Sequence, residues 1–217
     1  VFWFGLYMVT LNWGERYTDA GTASLVVGVG PVLAAILAAV VLKEGMPAKL
    51  LAGLVVAFGG TAIVGFASHQ GESTVGGVAL CLLAAAGYAV GMVSQKPVLR
   101  HATALQATTF GCAVGAIACL PFAGQLVDDV ATAPASATWS VVYLGLLPTA
   151  LAFYTWAYAL SRTPAGVLGA TTYVVPVIVI GLSWLLLDEV PAMLALAGGA
   201  LCLAGIGVTR LRSGKGN

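Results

Sequence analysis

A run of more than twenty residues without a charge, Ala20 to Leu42, closed by Lys43 and Glu44, constrains this chain more than any other feature. It is rich in Ala, Val and Leu and carries Pro31 near its middle. A helix needs roughly 20 apolar residues to cross a hydrocarbon core of about 30 Å, so the run predicts a membrane span. The same stretch returns without a gap as Ala165 to Leu187, followed by Asp188 and Glu189. Ala20, Gly21, Val29, Pro31, Val32, Leu37, Leu42 and Glu44 recur as Ala165, Gly166, Val174, Pro176, Val177, Leu182, Leu187 and Glu189. Outside the span, Leu6, Thr10 and Thr18 fall on Leu151, Thr155 and Thr163, while Leu51, Ala52, Gly53 and Gly60 fall on Leu196, Ala197, Gly198 and Gly205. This is an internal repeat.

Composition removes the soluble alternative. The chain is 60% hydrophobic and 8% charged, with a mean hydropathy of +1.00, against about 25% charged residues in an ordinary globular domain. The opening run, Val1 to Trp13, has no charged region before it and no small-residue cleavage site after it, so it reads as a span entered part-way and not as a signal peptide. Further spans are expected at Ala20 to Leu42, Leu50 to Ala67, Val75 to Gln95, Leu105 to Leu126, Trp139 to Leu160, Ala165 to Leu187 and Pro191 to Thr209, eight in all. Cys81, Cys112, Cys119 and Cys202 lie inside apolar runs without zinc or redox spacing, as small packing residues do.

Threading the chain through eight spans sorts its bases. One face receives Lys43, Lys49, Lys96, Arg100, Arg162, Arg210, Arg212 and Lys215, the other only Arg16. Basic loops stay in the cytoplasm, so the C-terminus is expected inside, and the loops carrying Asp128, Asp129, Asp188 and Glu189 outside. Five spans separate Glu44 from Glu189, and an odd number inverts the second copy. Inverted repeats are a recurring construction of secondary transporters, whose substrate site lies near the midplane between the halves. The spans Val75 to Gln95 and Leu105 to Leu126 have no counterpart before the first copy, so two further helices, on the order of 70 residues, are expected ahead of Val1.

Candidate functional residues follow from depth and face. Pro31 and Pro176 stand mid-span at equivalent positions; each removes a helical hydrogen bond and predicts a kink, read as either a packing feature or a hinge. Gly169, Thr172, Tyr173 and Pro176 share one helical face, Tyr88 leads a stripe with Gly91 and Gln95, Tyr154 leads one with Tyr158 and Ser161, and Tyr7 with Thr10 adds a polar patch on the first span. Singly these are ordinary packing residues; converging, Tyr7, Thr10, Tyr88, Tyr154, Thr172 and Tyr173 would line a substrate cavity. Glu44 and Glu189 each end one span just before the next, where a carboxylate favours the following helix N-terminus. Gly87 with Gly91 and Gly111 with Gly115 predict close helix approach within the bundle, with a homodimer as the alternative. No Asp, Glu, Lys, Arg or His lies in the middle of any expected span, so proton coupling has no support here.

These residues resemble a known family. Tyr17-Thr18-Asp19-Ala20-Gly21, the span centred on Pro31, the ending Leu42-Lys43-Glu44 and the Gly-rich span after it are similar to EamA-type carriers of the drug/metabolite transporter superfamily. Arg162-Thr163-Pro164-Ala165-Gly166, through Pro176 to Asp188-Glu189, looks like the same signature. The resemblance implies an all-α fold of ten helices in two inverted five-helix repeats. Residues 1–67 would then supply the last three helices of the first repeat, 75–210 the whole second repeat and 211–217 a cytoplasmic tail. It also implies a secondary transporter in a bacterial cytoplasmic membrane that exports small metabolites, such as amino acids or drug-like amphipathic solutes, by alternating access. Its partners would be a small-molecule substrate and the bilayer, with no nucleic acid, cofactor or metal. A membrane enzyme would need a nucleophile with a base, or a carboxylate or metal cluster, at one depth. His69 and His101 fall in loops on opposite faces, and Asp128-Asp129 stands by itself. A channel would need a filter or charged pore lining that the sequence does not carry.

Overall fold

The computed structural model describes residues 2–68, 73–187 and 191–210. Asp188, Glu189, His69, Arg212 and Lys215 lie outside the described residues, so the expectations placed on them do too. All regular structure among the described residues is helical. A π-helical stretch, Phe2–Tyr7, leads into α1 (Met8–Gly14); then follow α2 (Ala20–Val27), α3 (Gly30–Val41), α4 (Ala48–Ala67), α5 (Val75–Val98) and α6 (Ala104–Cys119). The chain continues through α7 (Ala123–Thr132), α8 (Ala135–Leu144), α9 (Ala152–Leu160), α10 (Ala165–Ala170), α11 (Val175–Leu187) and α12 (Met193–Arg210).

Among the described residues, seven helical stretches are long and apolar enough to cross a membrane: Ala20–Val41, Ala48–Ala67, Val75–Val98, Ala104–Thr132, Ala135–Leu160, Ala165–Leu186 and Met193–Arg210. The eighth expected span is represented by the shorter helical stretch from Phe2 to Gly14. Asp128 and Asp129, expected in a loop, stand instead in α7, which prolongs the span from Ala104 beyond its apolar part. Pro121 marks the junction, a short 3-10 turn over Leu120–Phe122. Between α8 and α9 the helix widens to a π-helix, Gly145–Leu151, around Pro148. Proline cannot donate to the carbonyl four residues back, which is that of Leu144. The Thr149 hydroxyl donates to that carbonyl instead, at 2.8 Å.

Both repeat copies of the Pro-centred span are broken. The first divides at Gly28 and Val29 into α2 and α3, with Pro31 in the first turn of α3. The second divides at a 3-10 segment, Thr171–Val174, into α10 and α11, with Pro176 in the first turn of α11. Proline is at home in a helix's first turn, where its missing N–H costs nothing, so each break falls just before it.

The most extensive packing joins the two Gly-rich helices, α4 and α12. A Cβ on Gly60 would stand 2.5 Å from the Gly198 carbonyl oxygen, and one on Gly53 would meet Gly205 and Thr209. Rising numbers on α4 thus meet falling numbers on α12, and the two helices run antiparallel. Gly53 and Gly60 are the repeat mates of Gly198 and Gly205, so these contacts exchange into one another under the repeat register. Small side chains allow this contact distance, and each glycine is needed for it. Elsewhere, Gly87 and Gly91 of α5 receive Phe2 and Trp3, and Gly111 and Gly115 of α6 receive Phe4, so this small-residue spacing serves contacts within the bundle. Large apolar side chains on α6 to α9, such as Phe110, Ile117, Trp139 and Leu146, are exposed, a surface matched to lipid tails.

Candidate functional site

The two breaks meet. The Tyr173 hydroxyl donates to the Gly28 carbonyl at 2.7 Å, tying the 3-10 segment of the second broken helix to the break in the first. Tyr173 is only 2% exposed. Beside this junction lies a cavity of about 620 Å³. Its walls come from α2 (Ala20, Ala23, Ser24, Val27), the Gly28 and Pro31 break, the Thr172, Tyr173 and Pro176 break, Thr61 of α4 and Tyr88 of α5. Tyr7, Leu11 and Glu15 of the first helix complete it.

Of the residues read from sequence, Tyr7, Tyr88, Thr172 and Tyr173 line this cavity, together with both prolines. Thr10 does not: it is buried and its hydroxyl donates to the Leu6 carbonyl at 2.7 Å, a back-bond within its own helix. Tyr154 does not either; it lines a second, smaller cleft with Tyr158, Ser161 and Arg162. Behind Tyr88 an aromatic cluster closes the wall, with Trp3 edge-on to Tyr88 at 5.4 Å, to Phe153 at 5.1 Å and to Trp156 at 5.8 Å. Such edge-to-face pairs hold ring orientation as well as area. The sequence reading missed Glu15. It stands just past α1 and is exposed, yet it is a carboxylate in the cavity lining, where no basic side chain accompanies it among the described residues. Helical spacing carried from Tyr7 through Leu11 to Glu15 would have found it, since the three lie four residues apart on one face.

The two ends of the bundle differ. On the base-rich face, Glu44 accepts a hydrogen bond from the Ala165 N–H at 2.6 Å, so it caps α10 of the other repeat and not the helix that follows it in sequence. The expectation of a local cap fails because the chain turns at Lys43 and Gly45, both with positive φ, and presents Glu44 across the bundle. Lys96, at 3.5 Å from Glu44, donates to the Leu160 carbonyl at 2.8 Å and to the Thr163 carbonyl. One ion pair therefore holds the last carbonyl of α9 and the first amide of α10. Above it α10 packs closely on α3, with Gly166 against Ala35 and Leu50.

On the other face α2 is capped locally, Asp19 accepting from the Gly21 and Thr22 amides at 3.0 and 3.2 Å and from the Ser73 hydroxyl at 2.7 Å. The pair equivalent to α10 and α3 is α11 and α2, which hardly touch. The cavity occupies the gap between them, with Glu15, Thr18 and Ala20 toward its mouth. The bundle is closed at its base-rich face and parted at the other.

A family model described as the EamA-like transporter family matches residues 1–66 and 75–211. A Streptantibioticus cattleyicolor protein named "Probable terminal-alkyne amino-acid exporter" is 40% identical over 200 residues, which are 92% of this chain and 67% of that protein. The Bacillus subtilis "Uncharacterized transporter YdfC" is 32% identical, with 99% of this chain and 70% of that protein covered. A Salmonella typhimurium "Probable amino-acid metabolite efflux pump" is 27% identical over 86% of this chain and 66% of its own length. A solved crystal structure with 23% sequence identity superposes at a TM-score of 0.77, covering 94% of this chain and 71% of that one, a likeness of fold.

Proposed function

The chain belongs to the EamA-like transporter family, and from that membership we propose that it exports small amphipathic metabolites carrying an amino group, by alternating access around the cavity between the two broken helices. The observation that carries this reading is the inequality of two equivalent contacts. α10 is seated on α3 and latched by Glu44 and Lys96, while α2 and α11 are parted around an open cavity. Two copies of one motif in unequal states, one gate shut and one open, are what an alternating-access carrier needs at each end of its cycle.

The antiparallel contact of α4 with α12, mates in the repeat, supports an inverted relation between the copies. In this reading residues 1–67 hold three helices of one repeat and 75–210 all five of the other. The base-rich face lies in the cytoplasm, with the C-terminus on that side. The structure is then the outward-open state, and the channel and enzyme alternatives have no comparable observation behind them.

The lining sets the substrate chemistry. Aromatic and aliphatic walls suit an apolar body, Ser24 offers a hydroxyl, Thr172, whose proton goes to the Gly169 carbonyl at 2.7 Å, offers an acceptor oxygen, and Glu15 near the mouth offers a negative charge that an ammonium group would meet. The amino-acid names of two relatives fit such a solute. Counterflow in liposomes tests the reading: a labelled aromatic amine should exchange saturably, and its hydroxyl analogue of equal size at least tenfold more slowly. Glu15→Gln should remove most of that difference. Unsaturable flux, or equal rates for amine and alcohol, would overturn it.

A further inference from the structure

The smaller cleft has a different character from the cavity. Of about 330 Å³, it opens where α5 ends, α6 begins and α9 ends, all at the base-rich face. Thr103 and Leu105 line one side, and Tyr154, Tyr158, Ser161 and Arg162 the other. The Arg162 guanidinium lies 3.7 Å from the centroid of the Tyr158 ring, and its Nη1 donates to the Ser161 hydroxyl at 3.2 Å. A guanidinium carries five N–H donors in a planar fork, so this arrangement orients the group and leaves donors free. No carboxylate stands among the residues lining the cleft.

The positive charge is not alone there. The 16-residue helix α6 begins at the cleft, so its positive dipole end faces the same space, and Arg100 lies in the connection just before it, outside the lining. The flank beside this charge is apolar and open: Leu105, Tyr154 and Tyr158 are all exposed, on the helices whose outer surfaces are matched to lipid tails. A ligand complementary to both parts has an anionic head and a hydrocarbon body.

We propose that this cleft is a binding site for an anionic phospholipid. Arg162 takes the phosphodiester, with Tyr158 as its platform, and an acyl chain runs along Leu105 and Tyr154. Phosphate geometry matches the guanidinium fork, which a tail-only contact would not use. The site lies at the level where three membrane-spanning helices end, which is where lipid headgroups are.

Native mass spectrometry of the purified chain tests this, with phosphatidylglycerol and phosphatidylcholine of identical acyl chains supplied in equal amounts. Both lipids carry the phosphodiester, but the choline ammonium cancels its charge beside Arg162, so the wild type should retain the anionic lipid about fivefold better, the gain expected from one base facing a net negative headgroup. Arg162→Gln should bring the ratio to one. Leu105→Asp, at an exposed first-turn position where a carboxylate suits the helix, should do the same while leaving Arg162 in place. A large excess of inorganic phosphate should not displace the bound lipid. Equal retention of both lipids by the wild type, a preference unchanged in both variants, or displacement by inorganic phosphate would each overturn the proposal, the last by showing a site for free anions.

Discussion

Tyr173 and Gly28 are joined by a 2.7 Å hydrogen bond, and they are the same position in the two copies of the repeat, 145 residues apart. A second equivalent pair, Cys202 and Ala57, is joined by a thiol-to-carbonyl contact at 3.4 Å with the same separation. Contacts between equivalent positions are what a two-fold relation places on its axis. The Gly28 carbonyl, stranded where the first helix breaks, is thus satisfied by a residue of the second break. Two local defects stabilise each other.

Tyr173→Phe should therefore weaken this arrangement while keeping the ring. Losing one buried hydrogen bond costs about 0.5–1.5 kcal/mol, with the carbonyl left unpaired at the upper end. A lower thermal midpoint than wild type in detergent is expected, and Tyr173→Ala should fall much further, since deleting a buried aromatic costs about 3–5 kcal/mol. A Phe variant as stable as the wild type would show that the Gly28 carbonyl has another partner.

Gly60→Val addresses the α4 and α12 seam. Its Cβ would lie 2.5 Å from a backbone oxygen and 2.6 Å from the Cys202 backbone nitrogen, so no rotamer relieves it and the helices must separate. Overpacking of this kind costs about 1–3 kcal/mol, and backbone partners place it at the high end. Gly59, whose added Cβ would meet nothing within 4 Å, is the internal control: Gly59→Ala should be neutral or slightly stabilising. Equal loss from both variants would mean that helix propensity, and not contact, governs the site.

Much of this was legible in the chain because it depends on local pattern. Charge-free length located the spans, and the gapless register of Pro31 with Pro176 located both breaks. Tyr7, Tyr88, Thr172 and Tyr173 were placed at the cavity by depth and helical face alone. What escaped depends on direction in space. Tyr154 has the same side chain as Tyr88 but faces a different cleft, and the Thr10 hydroxyl is spent on its own helix. Glu44 caps a helix 121 residues away, which no spacing rule reaches. Glu15 was hidden by its position after the apolar run, where a charge reads as a loop.

The Glu44 and Lys96 latch carries a prediction about the closed face. Each partner is about one-sixth exposed, at 17% and 16%, and each also binds backbone of the α9 and α10 corner. Hydrogen bonds to charged groups contribute about 1.5–3 kcal/mol, so Glu44→Gln should favour opening of this face by about tenfold or more. In a variant without native cysteines, Leu168→Cys is 8% exposed at its native residue and should react slowly with an impermeant thiol reagent added from the base-rich side. Glu44→Gln should speed that reaction, and Lys96→Met should speed it as well by releasing the Leu160 and Thr163 carbonyls. Unaltered labelling in both would reduce the pair to an ordinary helix cap.

The prolines carry the last prediction. Both prolines line the cavity, and Pro31 is buried there, with Gly169 close to its Cα. If the copies exchange conformations during transport, each break must adopt the other's environment in turn, so neither can be allowed to heal into a continuous helix. Alanine in place of proline removes a penalty of about 3 kcal/mol against continuing the helix, which favours the straight form. Pro176→Ala should then slow exchange by tenfold or more while changing equilibrium binding of the solute by less than about threefold, because alanine keeps the Cβ at the wall and the substitution acts mainly on the balance of states. Pro31→Ala should slow exchange as well, by acting on the opposite gate. Measuring binding and flux separately decides the matter: wild-type exchange from both variants would make the breaks fixed packing features, and a loss of binding equal to the loss of flux would make the prolines solute contacts and not hinges.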